Sequence, residues 1–105
     1  MLNQIVLVGR LVQDPEIKEL ENGNKKVYII LGVPRSYKNS NGIYETDFIP
    51  CKVGYPMCDG VKNYCEKGDL VGIKGRVTKL NNEALEIVTE KVTFLSKRKE
   101  EKNEK

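Results

Sequence analysis

Three cysteines, Cys51, Cys58 and Cys65, recur every seven positions in this 105-residue chain. An even thiol spacing invites a metal reading. On a helix, however, Cys58 and Cys65 stand two turns apart, roughly 10 Å by the helical rise, too far to share one zinc ion. The chain has no histidine to complete a ligand set. Buried free thiols are the better reading, and an odd count with no secretory signal at Met1 argues against a disulfide framework. Lacking histidine, the chain also lacks the commonest general acid–base group. It has neither a Walker-type loop nor a Gly-x-Ser-x-Gly turn. No metal, cofactor or catalytic residue is expected, and the chain reads as a binding protein, not an enzyme.

The second group with chemical potential is aromatic and basic. Asp47–Tyr55, DFIPCKVGY, alternates with a period of two. Ile49, Cys51 and Val53 fall on a core face, while Phe48, Pro50, Lys52 and Gly54 fall on the other. An aromatic beside a cation on the solvent side suits a contact surface, the floor of a groove. Pro50 cannot donate to a ladder, so this strand is expected at an edge or bulged there. In Arg35–Tyr44, RSYKNSNGIY, Tyr37 stands between Arg35 and Lys38. Cations meet phosphates and rings stack on bases, which fits single-stranded nucleic acid; an ordinary soluble hairpin tip uses the same residue types.

Bulk charge neither demands nor forbids such a ligand. The formal net charge is +3, but Met1–Leu95 carries 13 basic residues against 12 acidic ones, and Ser96–Lys105 five against three. A nearly neutral body makes the placement of charge decisive. No apolar run reaches the length of a membrane span, and the expected compartment is the cytoplasm, in association with the nucleoid.

The elements that position these residues follow from alternation and breakers. Asn3–Val12 is a strand with Ile5, Leu7 and Leu11 on one face and Val6, Val8 and Val12 on the other. Both faces are apolar, so both need cover. The core covers one, and another subunit is the simplest cover for the second, with the chain's own helix or tail as the alternative. Gly9 suggests a bulge or tight coiling, and Arg10 projects beyond it. Asp14-Pro15 breaks the strand. Glu16–Leu20 is a short extended piece, and Asn22-Gly23 marks a hairpin. Lys25–Pro34 is the next strand, with Val27, Ile29, Leu31 and Val33 inward and Lys26, Tyr28 and Ile30 outward. Arg35–Tyr44 is read as a polar loop with a hairpin signal at Asn41-Gly42. Pro56–Lys67 is the one helix, its stripe of Cys58, Val61, Tyr64 and Cys65 facing the core and Gly68 stopping it. Asp69–Lys79 is the fourth main strand, with Val71, Ile73 and Val77 on one face and Gly72, Lys74 and Arg76 on the other. Leu80–Glu83 is a turn, and Ala84–Leu95 is the last strand, bulged near Thr89-Glu90-Lys91 where its alternation shifts. The expected division is a folded domain over 1–95 and a charged tail over 96–105 with nothing to bury.

Three main strands, one helix and two more strands give an all-β fold with one helix: a five-stranded Greek-key barrel of the oligonucleotide-binding (OB) type, its helix between strands three and four. A small SH3-like barrel is the alternative, and the full helical segment before strand four counts against it.

Several segments resemble the bacterial and phage single-stranded DNA-binding protein (SSB) family. These are the opening MLNQIVLVGRLVQDPEI, the run LGVPRSYKNSNGIYETDFIPCKV, the run VKNYCEKGDLVGIKGRV and the ending EKVTFL, in that order over Met1–Leu95. The resemblance implies a homotetramer with first strands at the subunit contact, here Asn3, Ile5, Val6 and Val8. It also implies single-stranded DNA stacked on aromatics, in the service of replication, recombination or repair. Phe48 and Tyr37 match two stacking positions. At a third the family carries a large aromatic where this chain has Gly54, followed by Tyr55. Pro34 replaces the family's Asn before Arg35, the long hairpin between strands four and five is cut to Leu80–Glu83, and no recruitment of replication enzymes through an acidic tip is expected, since the run to Lys105 is one of mixed charge. The resulting candidate contacts are Phe48, Tyr37, Tyr55 and Tyr28 for bases and Arg10, Arg35, Lys38, Lys52, Lys74 and Arg76 for phosphates. Lys52, Lys74 and Arg76 are expected beside Phe48 on the outward face of strands three and four. An oligomeric OB module that mainly binds protein is the alternative. Single-stranded RNA stays open as a ligand, because stacking does not separate RNA from DNA.

Overall fold

Apolar residues at every second position give the chain strands with one side to bury. A computed structural model describes residues 1–19, 23, 25–54 and 57–97. Its elements are β1 (Ile5–Leu11), β2 (Glu16–Glu19), β3 (Lys25–Lys38), β4 (Tyr44–Gly54), α1 (Met57–Tyr64), β5 (Leu70–Asn81) and β6 (Ala84–Ser96). The strands bond in the order β1-β5-β6-β4-β3-β2, and β1 also pairs with β3. That extra pairing closes five strands into a barrel and leaves β2 as a short extension along β3. The β4–β6 pairing is parallel, whereas the neighbouring β3–β4 and β5–β6 pairings are antiparallel. This is the expected five-stranded OB barrel, with α1 between the third and fourth main strands.

Alternation chooses the core. Val27, Ile29 and Leu31 of β3, Cys51 and Val53 of β4, Val71 and Ile73 of β5, and Leu11 of β1 are all buried. Cys58, Val61 and Cys65 close one end of the barrel from the helical segment. Each buried aliphatic side chain contributes roughly 1.5–3 kcal/mol relative to exposure. Tyr64 does not join them: it is 65% exposed and packs edgewise on Phe94, centroids 6.5 Å apart. Cys58, Val61 and Cys65 share one side of the helix, and the next-door Tyr64 is turned roughly 100° from Cys65 at 3.6 residues per turn. The helix is also shorter than expected. It ends at Tyr64, and Gly68 takes its left-handed φ of 94° in the turn before β5. Pro56 lies outside the described residues. Buried Asp69 accepts hydrogen bonds from the Glu66 amide at 3.0 Å and from Lys97 Nζ at 3.2 Å, tying the helix end to the end of β6.

The barrel turns tightly at two glycines. A Cβ on Gly9 would stand 2.6 Å from the Gly32 carbonyl oxygen, where β1 leaves β5 for β3. Gly9 keeps regular register with Val71, so it serves coiling and not a bulge. A Cβ on Gly75 would stand 2.1 Å from the Val88 carbonyl oxygen. There the β5–β6 register steps from Lys74↔Lys91 to Gly75↔Thr89 and leaves Glu90 over, the bulge that the shifted alternation foretold.

The β3–β4 hairpin differs most from expectation. The segment read as the loop Arg35–Tyr44 is half strand: β3 continues to Lys38, β4 starts at Tyr44, and the turn shrinks to residues 39–43. Polar residues hide the strand there because neither face has a core to meet. The Asn41-Gly42 signal holds, with Gly42 at φ 77°. Of Asn22-Gly23, only Gly23 is described. Pro50 pairs with Ile30 without a bulge. The Ile30 carbonyl accepts from the Val12 amide on the other side, so the Pro50 nitrogen faces away from β3, just short of where β6 pairing begins at Cys51. Strand β6 runs through Ser96, and residues 98–105 lie outside the described residues.

Candidate nucleic-acid interface

The outward side chains of β3 and β4 form one lane. Its rungs are Lys26↔Gly54, Tyr28↔Lys52, Ile30↔Pro50 and Gly32↔Phe48. The six residue steps of strand from Phe48 to Gly54 make the lane about 20 Å long. Phe48 is 65% exposed and faces a glycine, so no side chain covers it from β3. Gly32 also pairs with Arg10, which places Arg10 in the same row as Phe48, two strands or roughly 10 Å away. The Arg10 guanidinium donates one bond to the Gly68 carbonyl at 3.0 Å.

The middle of the lane is basic and partly self-satisfied. Lys18 and Lys26 hold their ammonium groups 5.7 and 5.2 Å from the Tyr28 ring centroid, a cation–π arrangement. The Tyr28 hydroxyl donates to Glu86 at 3.3 Å, and Glu86 also pairs with Lys52 at 3.3 Å. At the hairpin, Tyr37 is 67% exposed and Lys38 sits 5.7 Å from the Tyr44 ring centroid. Arg35 is engaged through all three of its nitrogens: Nε and Nη2 donate to the two Asp47 oxygens at 3.2 and 3.0 Å, and Nη1 to Glu45 at 2.8 Å.

Strands β4 and β5 are separated by β6, so Lys74 and Arg76 do not stand beside Phe48 as expected. Arg76 lies across Val88 from Lys52 and is paired with Glu90 at 2.9 Å. Lys74 is opposite Val6, on the face of β1. That face carries Val6 and Val8, 63% and 48% exposed, with Leu95 close by across Gly72. Ile5 is half-buried on the opposite side of β1. Asn3 spends its amide on Val77, donating to the carbonyl at 2.7 Å and accepting from the amide at 2.9 Å. Of the four residues read as a subunit contact, Val6 and Val8 are thus the ones whose side chains stand free. Tyr55 lies outside the described residues.

Burial pushes the Cys51 thiol up to about 12 and, with the nearby Asp69 charge second, the Cys65 thiol to about 11. Both are protonated packing groups at neutral pH, and all three cysteines are buried.

The profile of the single-strand binding protein family matches residues 2–95. The chain belongs to the single-strand binding protein family. It is 38% identical to single-stranded DNA-binding protein 1 of Staphylococcus aureus, over 98% of this chain and 66% of that protein. It is 41% identical to the single-stranded DNA-binding protein of Halalkalibacterium halodurans, over 93% and 63% respectively. It is 33% identical to single-stranded DNA-binding protein B of Bacillus subtilis, over 97% of each. This member of the single-strand binding family therefore spans just under two thirds of the first two relatives and almost all of the third. Among solved structures, the single-stranded DNA binding protein from Thermus aquaticus superposes with a TM-score of 0.73 at 19% identity, over 92% of this chain and 52% of that one. That likeness is one of fold.

As a single-strand binding family barrel, the molecule has two local peculiarities. Gly54 leaves open space at the end of the lane, with nothing within 4 Å of a Cβ there. The β5–β6 turn consists of Asn82 and Glu83 alone, braced by the Asn81 side chain accepting from the Glu83 amide at 2.8 Å. Sequence reasoning passed over Tyr44, Lys18, Lys26 and Glu86 as site residues. The hairpin register that puts Lys38 on Tyr44 was hidden, and so was the β2 pairing that brings Lys18 to Tyr28. No helix among the described residues is long and apolar enough to cross a membrane.

Proposed function

We propose that this single-strand binding family member binds single-stranded DNA with little sequence preference, as a homo-oligomer, and protects it during replication, recombination or repair. Bases stack on Phe48 and Tyr37, and phosphates meet Arg10, Lys38 and the lysines around Tyr28. The observation that carries this reading is the exposed Phe48 ring on a rigid strand, open on its β3 side because Gly32 lies opposite. Every base offers a π-face, so such a platform is sequence-tolerant, worth roughly 1–3 kcal/mol per stacked base. The exposed Val6–Val8 face supports self-association, with the tetramer as the expected form. The working compartment is the cytoplasm at the nucleoid, and the role is that of a binder, not a catalyst.

A labelled oligothymidylate strand titrated by fluorescence anisotropy, beside duplex DNA and at low and moderate salt, tests the reading. Tight binding to the strand, weak binding to the duplex and a steep loss with salt are expected. Absence of strand binding at low salt would overturn it. One observation favours a second reading, an OB module turned to protein contacts: Arg35, Lys52 and Arg76 are each already paired with a carboxylate of their own chain. Weak, salt-insensitive strand binding is the result that selects it.

A further inference from the structure

Arg35 has the residue type of a phosphate ligand and stands two residues from Tyr37 in the hairpin that extends beyond the lane. Its surroundings say otherwise. Both Asp47 oxygens and one Glu45 oxygen take three of its five donors. The other Glu45 oxygen accepts from Asn39 Nδ2 at 3.2 Å. The Asn39 carbonyl oxygen of the side chain accepts from the amides of Asn41 at 2.8 Å and Ile43 at 3.1 Å. One line of contacts therefore runs from the turn, through Glu45 and Arg35, to Asp47, whose chain neighbour is Phe48.

This line spans the one gap in the β3–β4 ladder. Register is regular from Lys26 to Pro34 and resumes only at Lys38↔Tyr44. Residues 34–38 are exposed, so no apolar packing holds them. A planar guanidinium with a bidentate carboxylate fixes distance and orientation together, which supplies what the ladder lacks. The trio also repels a phosphate, since one cation stands against two carboxylates. The bond to Asp47 raises the Arg35 pKa, and Arg35 in turn holds the Asp47 carboxyl below its usual range.

We propose that Arg35 is a positioning residue: it clamps the β3–β4 hairpin so that Tyr37 and Phe48 present their rings to the strand, and it makes no phosphate contact. The proposal deepens the single-stranded DNA reading and rests on it for the rings' role.

Two measurements test it. The first is amide hydrogen exchange in the absence of DNA, on the wild type and Arg35→Gln. Exchange at Asn41 and Ile43 is expected to quicken about fivefold, the scale of a well-made surface pair, with core amides such as Ile29 unchanged. Unchanged exchange in the hairpin overturns the clamp whether or not DNA binds, and a wild type that fails to bind DNA overturns only the ring-presenting role and the reading beneath it. The second is oligothymidylate affinity across a salt series. Arg35→Gln is expected to weaken binding about fivefold at every salt concentration with its slope unchanged, and to add little once Phe48→Ala is present. A phosphate ligand would instead lower the slope by about 0.7 and act additively with Phe48→Ala; either result overturns the proposal. Lys38→Gln, a phosphate contact in the same hairpin, is the comparison that shows the slope change.

Discussion

A ring at Phe48 stacks on a base without breaking anything, whereas Lys52 must leave Glu86 and Arg76 must leave Glu90 before either meets a phosphate. At the residue scale the aromatic therefore dominates. Phe48→Ala is expected to cost about 1–3 kcal/mol of strand affinity, roughly tenfold or more, with melting temperature held, since the ring is exposed. The converse is Gly54→Phe. The position points outward into open space, so a ring there adds a platform and tightens oligothymidylate binding by about tenfold; an anisotropy titration reads both. Inside the barrel, the buried Cys51 thiol makes stability depend on pH on the alkaline side. The folded chain keeps the Cys51 proton to about 12, against an ordinary 9.0. The unfolded chain releases it earlier, so the contribution is complete below about 9 and is lost as pH rises through about 12. Urea melts between about pH 8 and pH 11 should show stability falling, and Cys51→Val should flatten that fall. Which way the residues of the core strands faced was legible from alternation. The partners of Arg35, Lys52 and Arg76 were not, because a salt bridge depends on which strands become neighbours.

The glycines set what the elements can do. Gly75 lets β5 pass the Glu90 bulge at a distance no side chain tolerates, because the atom in the way is the backbone carbonyl of Val88. Gly75→Ala is expected to lose about 1–3 kcal/mol, the range for overpacking, read from the urea midpoint with the m-value unchanged. The bulge itself was legible, since a strand that changes phase without a turn must carry an extra residue. The hairpin strands from Arg35 to Lys38 and from Tyr44 to Thr46 were not. They project past the core, so apolar alternation, the one signal a sequence gives for a strand, has nothing to act on. Tyr64 is a different case: its i+3 spacing from Val61 put it at the margin of the stripe, and the barrel end is already filled by Cys58, Val61 and Cys65.

For the whole molecule, the order of strands decides which surfaces meet. Insertion of β6 between β4 and β5 splits the expected basic face in two. It leaves the lane of β3 and β4 on one side and sends Lys74 to the apolar side of β1. Composition cannot show this, because a net charge of +3 is the same for either arrangement. If the Val6–Val8 face is the subunit contact, Val8→Asp should lower the mass seen by light scattering to a smaller assembly while the monomer stays folded, as the side chain projects away from the core. Unchanged mass would assign the face to another partner. The closure of the ring by β1 also governs how the protein is born. Ile5 pairs with Gly75, so β1 emerges from the ribosome roughly 3–14 s before its partner at ordinary rates of synthesis. The β3–β4 hairpin can form in that interval from nearby residues alone, but β1 waits with its β5-facing edge unpaired and its core residue Leu7 bare. The nascent chain thus carries its first strand unpaired along that edge until the fifth has been made.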